Sequence, residues 1–151
     1  MAEIAISTAR VVRLFGFDPK VAFVSHSTFG QPLTNRTKHI KKAVDILKEK
    51  NVDFDFDGDM QPDVALNSEY NELYPFSKIV GKANILIMPG QHSAAISYKL
   101  MKTFGDTKVI GPLLIGLGLP IEIAPLRTST SELINLASIA AYSAEKIDYS
   151  K

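Results

Sequence analysis

The chain contains no cysteine, which removes disulfide scaffolds and thiolate metal sites from consideration. No apolar run approaches the roughly 18 residues a membrane span requires. The first residues also lack the charged-then-apolar order of a secretory signal. An excess of charge of one sign is missing too, since 17 basic and 16 acidic residues leave +1. So balanced a chain carries no field for a polyanion, and only Lys38, Lys41, Lys42, Lys48 and Lys50 come near a clustered basic face. A cytoplasmic domain that meets neither nucleic acid nor membrane is the expectation. What is present is globular material. With 151 residues, 46% hydrophobic and 22% charged, the chain suits one domain over 1–151 with a sizeable core, and disorder is excluded.

The hydrophobic period alternates along the chain. Val21–Val24, Ile85–Met88 and Val109–Ile115 are apolar on both faces, as strands buried in a parallel sheet are; Ile121–Ala124 reads as a further strand. Ile40, Ala43, Val44 and Leu47 repeat at helical spacing, with Lys38, Lys41, Lys42, Asp45 and Lys48 on the opposite face. Further helices are predicted within Gln61–Leu73 and from Ser93 to Phe104, the latter closed by Gly105. This alternation predicts an α/β fold: a mainly parallel sheet with helices on both faces. The terminal helices, around Ile4–Phe15 and Leu133–Ala141, are apolar on more than one stripe. Such helices are buried on more than one side, as core helices or at a subunit interface.

Candidate chemistry is sparse. Asp53, Asp55 and Asp57 ahead of Gly58 imitate the start of a calcium loop, but its twelfth position is Val64 where a bidentate Glu belongs. Phe54 and Phe56 instead predict a half-buried strand, turned back by Asp57-Gly58. Gly111–Gly118 lacks the spacing and lysine of a phosphate loop. His26, His39 and His92 show no metal-ligand spacing, so no metal site is expected. His26 and His92 do follow predicted strands, where α/β ligand sites gather. Ser25–Thr28 follows a strand, and Arg127–Ser131 opens the last helix. Hydroxyls and an arginine there suit an anion; Ser129 with Glu132 equally forms a capping box.

Four segments, in order, resemble the C-terminal half of a phosphotransacetylase domain: VAFVSHSTFG (Val21–Gly30), DGDMQPDVA (Asp57–Ala65), GKANILIMPGQHSAAISYK (Gly81–Lys99) and GPLLIGLGLP (Gly111–Pro120). The likeness runs from about Ile4 to Ala144. More closely, STFG, ELYPFSK and the LIMP-to-ISYK block resemble the phosphotransacetylase-like tail of large bacterial NADP-dependent malic enzymes. The resemblance implies a C-terminal part of such a domain, separated from a malic enzyme unit and from the first half of the transacetylase-like domain.

The departures from the transacetylase pattern define the functional expectation. The Ser and Arg of the family's Leu-Ser-Arg-Gly motif fall on Pro125 and Leu126. The acid thought to act as base is Glu132. The family's Lys survives as Lys99, while the Arg one turn later is Thr103; Arg127 stands one residue late. No catalytic residue is therefore expected here. The resemblance implies an acetyl-CoA-responsive, oligomerising domain, a dimer or larger, whose parent chain uses NADP and Mg or Mn. Ser27, Thr28, Lys99, Arg127 and Ser129 are the candidate residues for acetyl-CoA or a related anion. The alternatives are a working phosphate acetyltransferase fragment and a purely structural assembly domain.

Overall fold

Val21, Ala22, Phe23 and Val24 have no polar side chain, and the strand they form lies at the middle of the sheet. In the computed structural model, which describes residues 1–105 and 108–146 and only the backbone of Arg36, β1 (Lys20–Val24) runs parallel to two neighbours. These are β2 (Asp55–Met60) and β3 (Ile85–Ile87), in the order β2-β1-β3. Val21 and Phe23 join Phe56, Ile85 and Ile87 on one face, packed with α1 (Ala2–Leu14) and α2 (Asn35–Glu49). Ala22 and Val24 join Met60, Val64, Ala65, Ile79 and Ala83 on the other, the side of α3 (Pro62–Leu66). The expected parallel α/β layering with helices on both faces is therefore present.

Two compact units are distinguishable, Met1–Ser97 and Tyr98–Lys151. The first holds the sheet, α1 to α3 and the short α4 (Ser68–Glu72). The boundary falls within α5 (Gln91–Phe104), and α6 (Thr130–Lys146) belongs to the second unit. Among the described residues no helix is long and apolar enough to cross a membrane.

Local chemistry explains where the helices begin. Thr34 and Thr37 form a reciprocal capping box at the start of α2, each hydroxyl accepting the other's backbone N–H. Ile40, Ala43, Val44 and Leu47 are then all buried, as their spacing predicts. Within this chain the terminal helices are covered on one side at most. α1 buries a stripe of small residues, Ala2, Ala5 and Ala9, and leaves Ile4 56% exposed. α6 buries only Leu136, with Leu133 and Ile134 exposed.

Two predicted strands are not formed. Val109–Ile115 and Ile121–Ala124 make a single antiparallel bridge, Leu113 to Glu122. Gly111 adopts positive φ and Pro112 supplies no ladder donor, so Val109–Ile115 cannot present a continuous edge; Ile121–Ala124 is a four-residue run between Pro120 and Pro125 that bonds only through this bridge. The predicted turn at Asp57-Gly58 is also absent, because both residues lie inside β2.

What stands there is a bulge. Phe23 pairs with Gly58 but Val24 pairs with Met60, so Asp59 is an extra residue in β2. One extra residue inverts the alternation of faces. Phe56 accordingly points to the α1/α2 side and Met60 to the α3 side, although four positions separate them. Gly58 makes the close approach possible: at φ +152°, a Cβ would sit 2.7 Å from both Cβ and the carbonyl oxygen of Phe23. Gly58→Ala is expected to lower the unfolding free energy by about 2–3 kcal/mol, the scale of overpacking in a closed core. Urea titration should show an earlier midpoint at unchanged slope.

Candidate functional site

The bulge aims the Asp59 side chain at the loop that follows β1. Its carboxyl accepts the hydroxyl proton of Ser27 and the N–H of Gly30 (3.0 Å), while its carbonyl accepts the N–H of Phe29 (2.6 Å). Gln61 completes the clamp. Its backbone N–H donates to the Thr28 hydroxyl (3.2 Å) and its side-chain amide to the His26 carbonyl (3.0 Å). A buried acid is tolerated when its oxygens are so satisfied. Thr28 and Gln31 exchange backbone hydrogen bonds around Phe29 (φ 50°) and Gly30 (φ 81°), a tight turn of the primed kind. A phenylalanine in the left-handed region costs on the order of 1–3 kcal/mol and persists only where its surroundings over-determine it.

This loop lies at the carboxyl end of a parallel strand, where open α/β sheets bind ligands. Yet Ser27 has no exposed surface and Thr28 is buried. Both hydroxyls are engaged with the chain itself, so neither presents a free face to an anion. Asp59, which organises both, is marked in the sequence only by its place after an expected turn and within the DGDMQPDVA segment of the resemblance. The neighbouring acids are occupied as well. Asp57 accepts the Lys78 N–H (2.8 Å), and Asp53 accepts from Arg13 (3.0 Å), whose guanidinium holds the Asp53 carboxyl below its usual range.

In the second unit Arg127 lies within a turn that Ser129 follows. Thr128 N–H and hydroxyl both donate to the Pro125 carbonyl, which leaves Leu126 and Arg127 exposed at the tip. Ser129 then caps α6. Its N–H (2.7 Å) and hydroxyl (2.8 Å) donate to the Glu132 carboxylate, and the Glu132 N–H donates back to the Ser129 oxygen (3.3 Å). The capping box expected from the sequence is thus formed. A cavity of about 110 Å³ adjoins it, lined by Arg127, Thr128, Glu132, Asn135, Lys102 and Gly111 among others. Lys102 pairs loosely with Glu132 at 3.5 Å. Lys99 is exposed on α5, and Thr103, one turn on, donates its hydroxyl to the Lys99 carbonyl (2.8 Å). Of the five candidate residues, Ser27 and Thr28 belong to the first unit and Lys99, Arg127 and Ser129 to the second.

A parallel sheet layered by helices places the chain in the α/β class. The model of the phosphate acetyl/butaryl transferase family matches residues 1–141, and the chain belongs to that family. An NADP-dependent malic enzyme of Rhizobium meliloti is 46% identical over 95% of this chain and 19% of its own length. A phosphate acetyltransferase of Clostridium acetobutylicum is 36% identical over 97% of this chain and 44% of its own. A phosphotransacetylase from Streptococcus pyogenes superimposes with a TM-score of 0.90 at 33% identity, over 97% of this chain and 45% of that one. The domain is therefore one that malic enzymes and phosphate acetyltransferases share. This chain spans about a fifth of the malic enzymes it matches and under half of the transacetylases.

Glu132 provides a pH test of the capped helix. The Ser129 N–H, then the Ser129 hydroxyl, and Lys102 more weakly, hold its carboxyl below the ordinary carboxylate range. The stabilisation is fully present above the ordinary glutamate pKa and disappears as pH falls through the lower folded-state value. The stability gap between wild type and Glu132→Gln should accordingly be widest near neutral pH and close in acid. Denaturant unfolding measured across that range checks it.

Proposed function

We propose that the chain is the catalytically silent, acetyl-CoA-responsive and oligomerising domain of an NADP-dependent malic enzyme. The parent chain would decarboxylate malate oxidatively to pyruvate, with NADP and Mg or Mn held in its malic enzyme unit. Among the described residues no three His, Asp or Glu side chains gather as a metal would need.

One observation carries the reading: the turn before α6. By the resemblance, counted from Pro120, the transacetylase Ser and Arg fall on Pro125 and Leu126. Proline has neither hydroxyl nor N–H, and the Leu126 side chain stands fully exposed at the turn. Thr103, at the second arginine position, gives its hydroxyl to its own helix. Each missing charge-assisted hydrogen bond forfeits about 1.5–3 kcal/mol, and such donors supply most of the stabilisation of an acyl-transfer transition state. Binding needs less. Arg127 and Lys99 remain as exposed cations, and the cavity beside Arg127 has room for an anionic group. It is far smaller than the roughly 300–1,000 Å³ of a complete small-molecule pocket, in keeping with a site that further parts of the parent enclose. Ser129 contributes as framework, through the helix cap.

Acetyl-CoA titration of the parent protein tests the reading. A ligand that binds the native state at a hundred times its Kd stabilises it by about 2.7 kcal/mol, which raises the melting temperature measurably. Arg127→Ala and Lys99→Ala should each weaken the apparent affinity by about tenfold or more. Unchanged affinity in both variants rules the assignment out. A phosphate acetyltransferase fragment is the second reading, favoured by the retained Lys99 and Glu132; thioester formation from acetyl phosphate and CoA would establish it instead.

The exposed apolar residues Leu133 and Ile134 of α6 and, separately, Ile4 of α1 support assembly as a dimer or larger, because covering such side chains removes apolar surface from water. Sedimentation equilibrium at micromolar concentration should give at least twice the 16.6 kDa chain mass. A stable species at the chain mass overturns this part.

A further inference from the structure

The cavity beside the capped start of α6 is walled by Lys102, Arg127, Glu132 and Asn135, with the apolar Ile110 and Leu136 among its other residues. Lys99, three positions earlier on α5, is not one of its walls, so of the two lysines on that helix Lys102 is the one that meets the cavity. Two cations and one acid leave these walls net positive. The three charges are not equally committed. Glu132 is held by Ser129, whose N–H (2.7 Å) and hydroxyl (2.8 Å) both donate to its Oε2. Its other oxygen, Oε1, accepts only from Lys102 among the described residues, at 3.5 Å, the outer limit of a hydrogen bond. The Ser129 N–H and then its hydroxyl do most to hold the Glu132 carboxyl below its usual range, with Lys102 behind them. The Lys102 and Glu132 side chains are 52% and 37% exposed, and an ion pair this long and this hydrated contributes little. Lys102 can leave it with the helix cap intact.

We propose that Lys102 is a further ligand-binding cation of the anion site, and that its pair with Glu132 is a resting contact which the anionic group of acetyl-CoA displaces; this rests on the reading given above. An ammonium on a flexible four-carbon stem turns from Glu132 to a phosphate oxygen by side-chain rotation alone. It gives up one long bond and forms a charge-assisted one, beside the guanidinium of Arg127. Glu132 is then the site's own competitor, an acid that neutralises the lysine until a ligand replaces it. The two residues therefore act on binding with opposite sign. Loss of the lysine weakens it, and loss of the negative charge on Glu132 strengthens it. A merely structural ion pair has no such asymmetry, since breaking it from either side removes the same contact.

Calorimetric titration of the parent protein with acetyl-CoA tests the proposal. Lys102→Met is expected to weaken binding about tenfold, the loss of one charge-assisted hydrogen bond, while Lys102→Arg retains most of the affinity. Glu132→Gln keeps an acceptor for Ser129 but not the charge. It is expected to tighten binding about threefold, the scale of removing one like charge a few ångströms away through water. A variant that binds more tightly is necessarily folded, so Glu132→Gln decides the matter even if Lys102→Met fails to fold. Unchanged affinity in Lys102→Met overturns the proposal, and so does unchanged or weakened binding by Glu132→Gln. If Arg127→Ala weakens binding while Lys102→Met does not, the acetyl-CoA reading stands and the role of Lys102 falls. Wild-type parent protein that does not bind acetyl-CoA overturns both.

Discussion

One additional residue in β2 governs the first unit. Asp59 stands unpaired between Gly58 and Met60, and its insertion has two consequences that cannot be separated. It turns Met60 to the opposite face from Phe56, so that a single strand feeds both hydrophobic layers. It also swings a carboxyl group into the loop after β1, where Ser27 and Gly30 saturate it. Without the carboxyl the loop would keep buried donors with no partner; without the loop the acid would be buried unsatisfied. Each makes the other affordable, as buried polar networks require.

That coupling explains why the loop does not resemble an open phosphate cradle. Its polar groups face inward, toward Asp59 and Gln61, and its aromatic residue faces Tyr74 and Phe76. The carboxyl edge of a parallel sheet, commonly given to ligand chemistry, is here spent at β1 on rigidity and on an apolar surface. The anion site proposed above lies instead in the second unit, where a cavity is lined by Arg127, Lys102 and Glu132.

The two units differ in how they are held. The first buries residues on both sides of its sheet and engages its few buried polar side chains; the Asn71 amide nitrogen donates to the Ile79 (2.7 Å) and Gly81 (2.9 Å) carbonyls, while its Oδ1 has no partner among the described residues. In the second, α6 buries one leucine, and order comes from local devices: a helix cap, a turn closed on Pro125, and a Tyr98 hydroxyl to Gly111. Hydrogen bonds of this kind shape the chain, but apolar burial supplies most of the stability of a domain. The exposed Leu, Ile and Phe side chains of α5 and α6 are the expected counterpart of that imbalance.

The sequence alone determined the features whose physics is local. Unbroken apolar runs marked β1 and β3, a helical repeat marked the buried face of α2, and Ser129 with Glu132 marked a helix start, because each depends on residues within a few positions of one another. Family membership was legible for the same reason, in short ordered segments. Tertiary structure decided the rest. Val109–Ile115 is as apolar as a central strand yet has no ladder, since a strand exists only with a neighbour to bond. Ser27 and Thr28 look like available hydroxyls until a bulge on the adjacent strand, over thirty positions later, fills them. Asp57-Gly58 has the composition of a turn, but the approach of Phe23 makes it a strand with one residue too many. Pairing register and buried hydrogen bonds between distant segments are not written in local composition, and they settled which polar groups remain free to act.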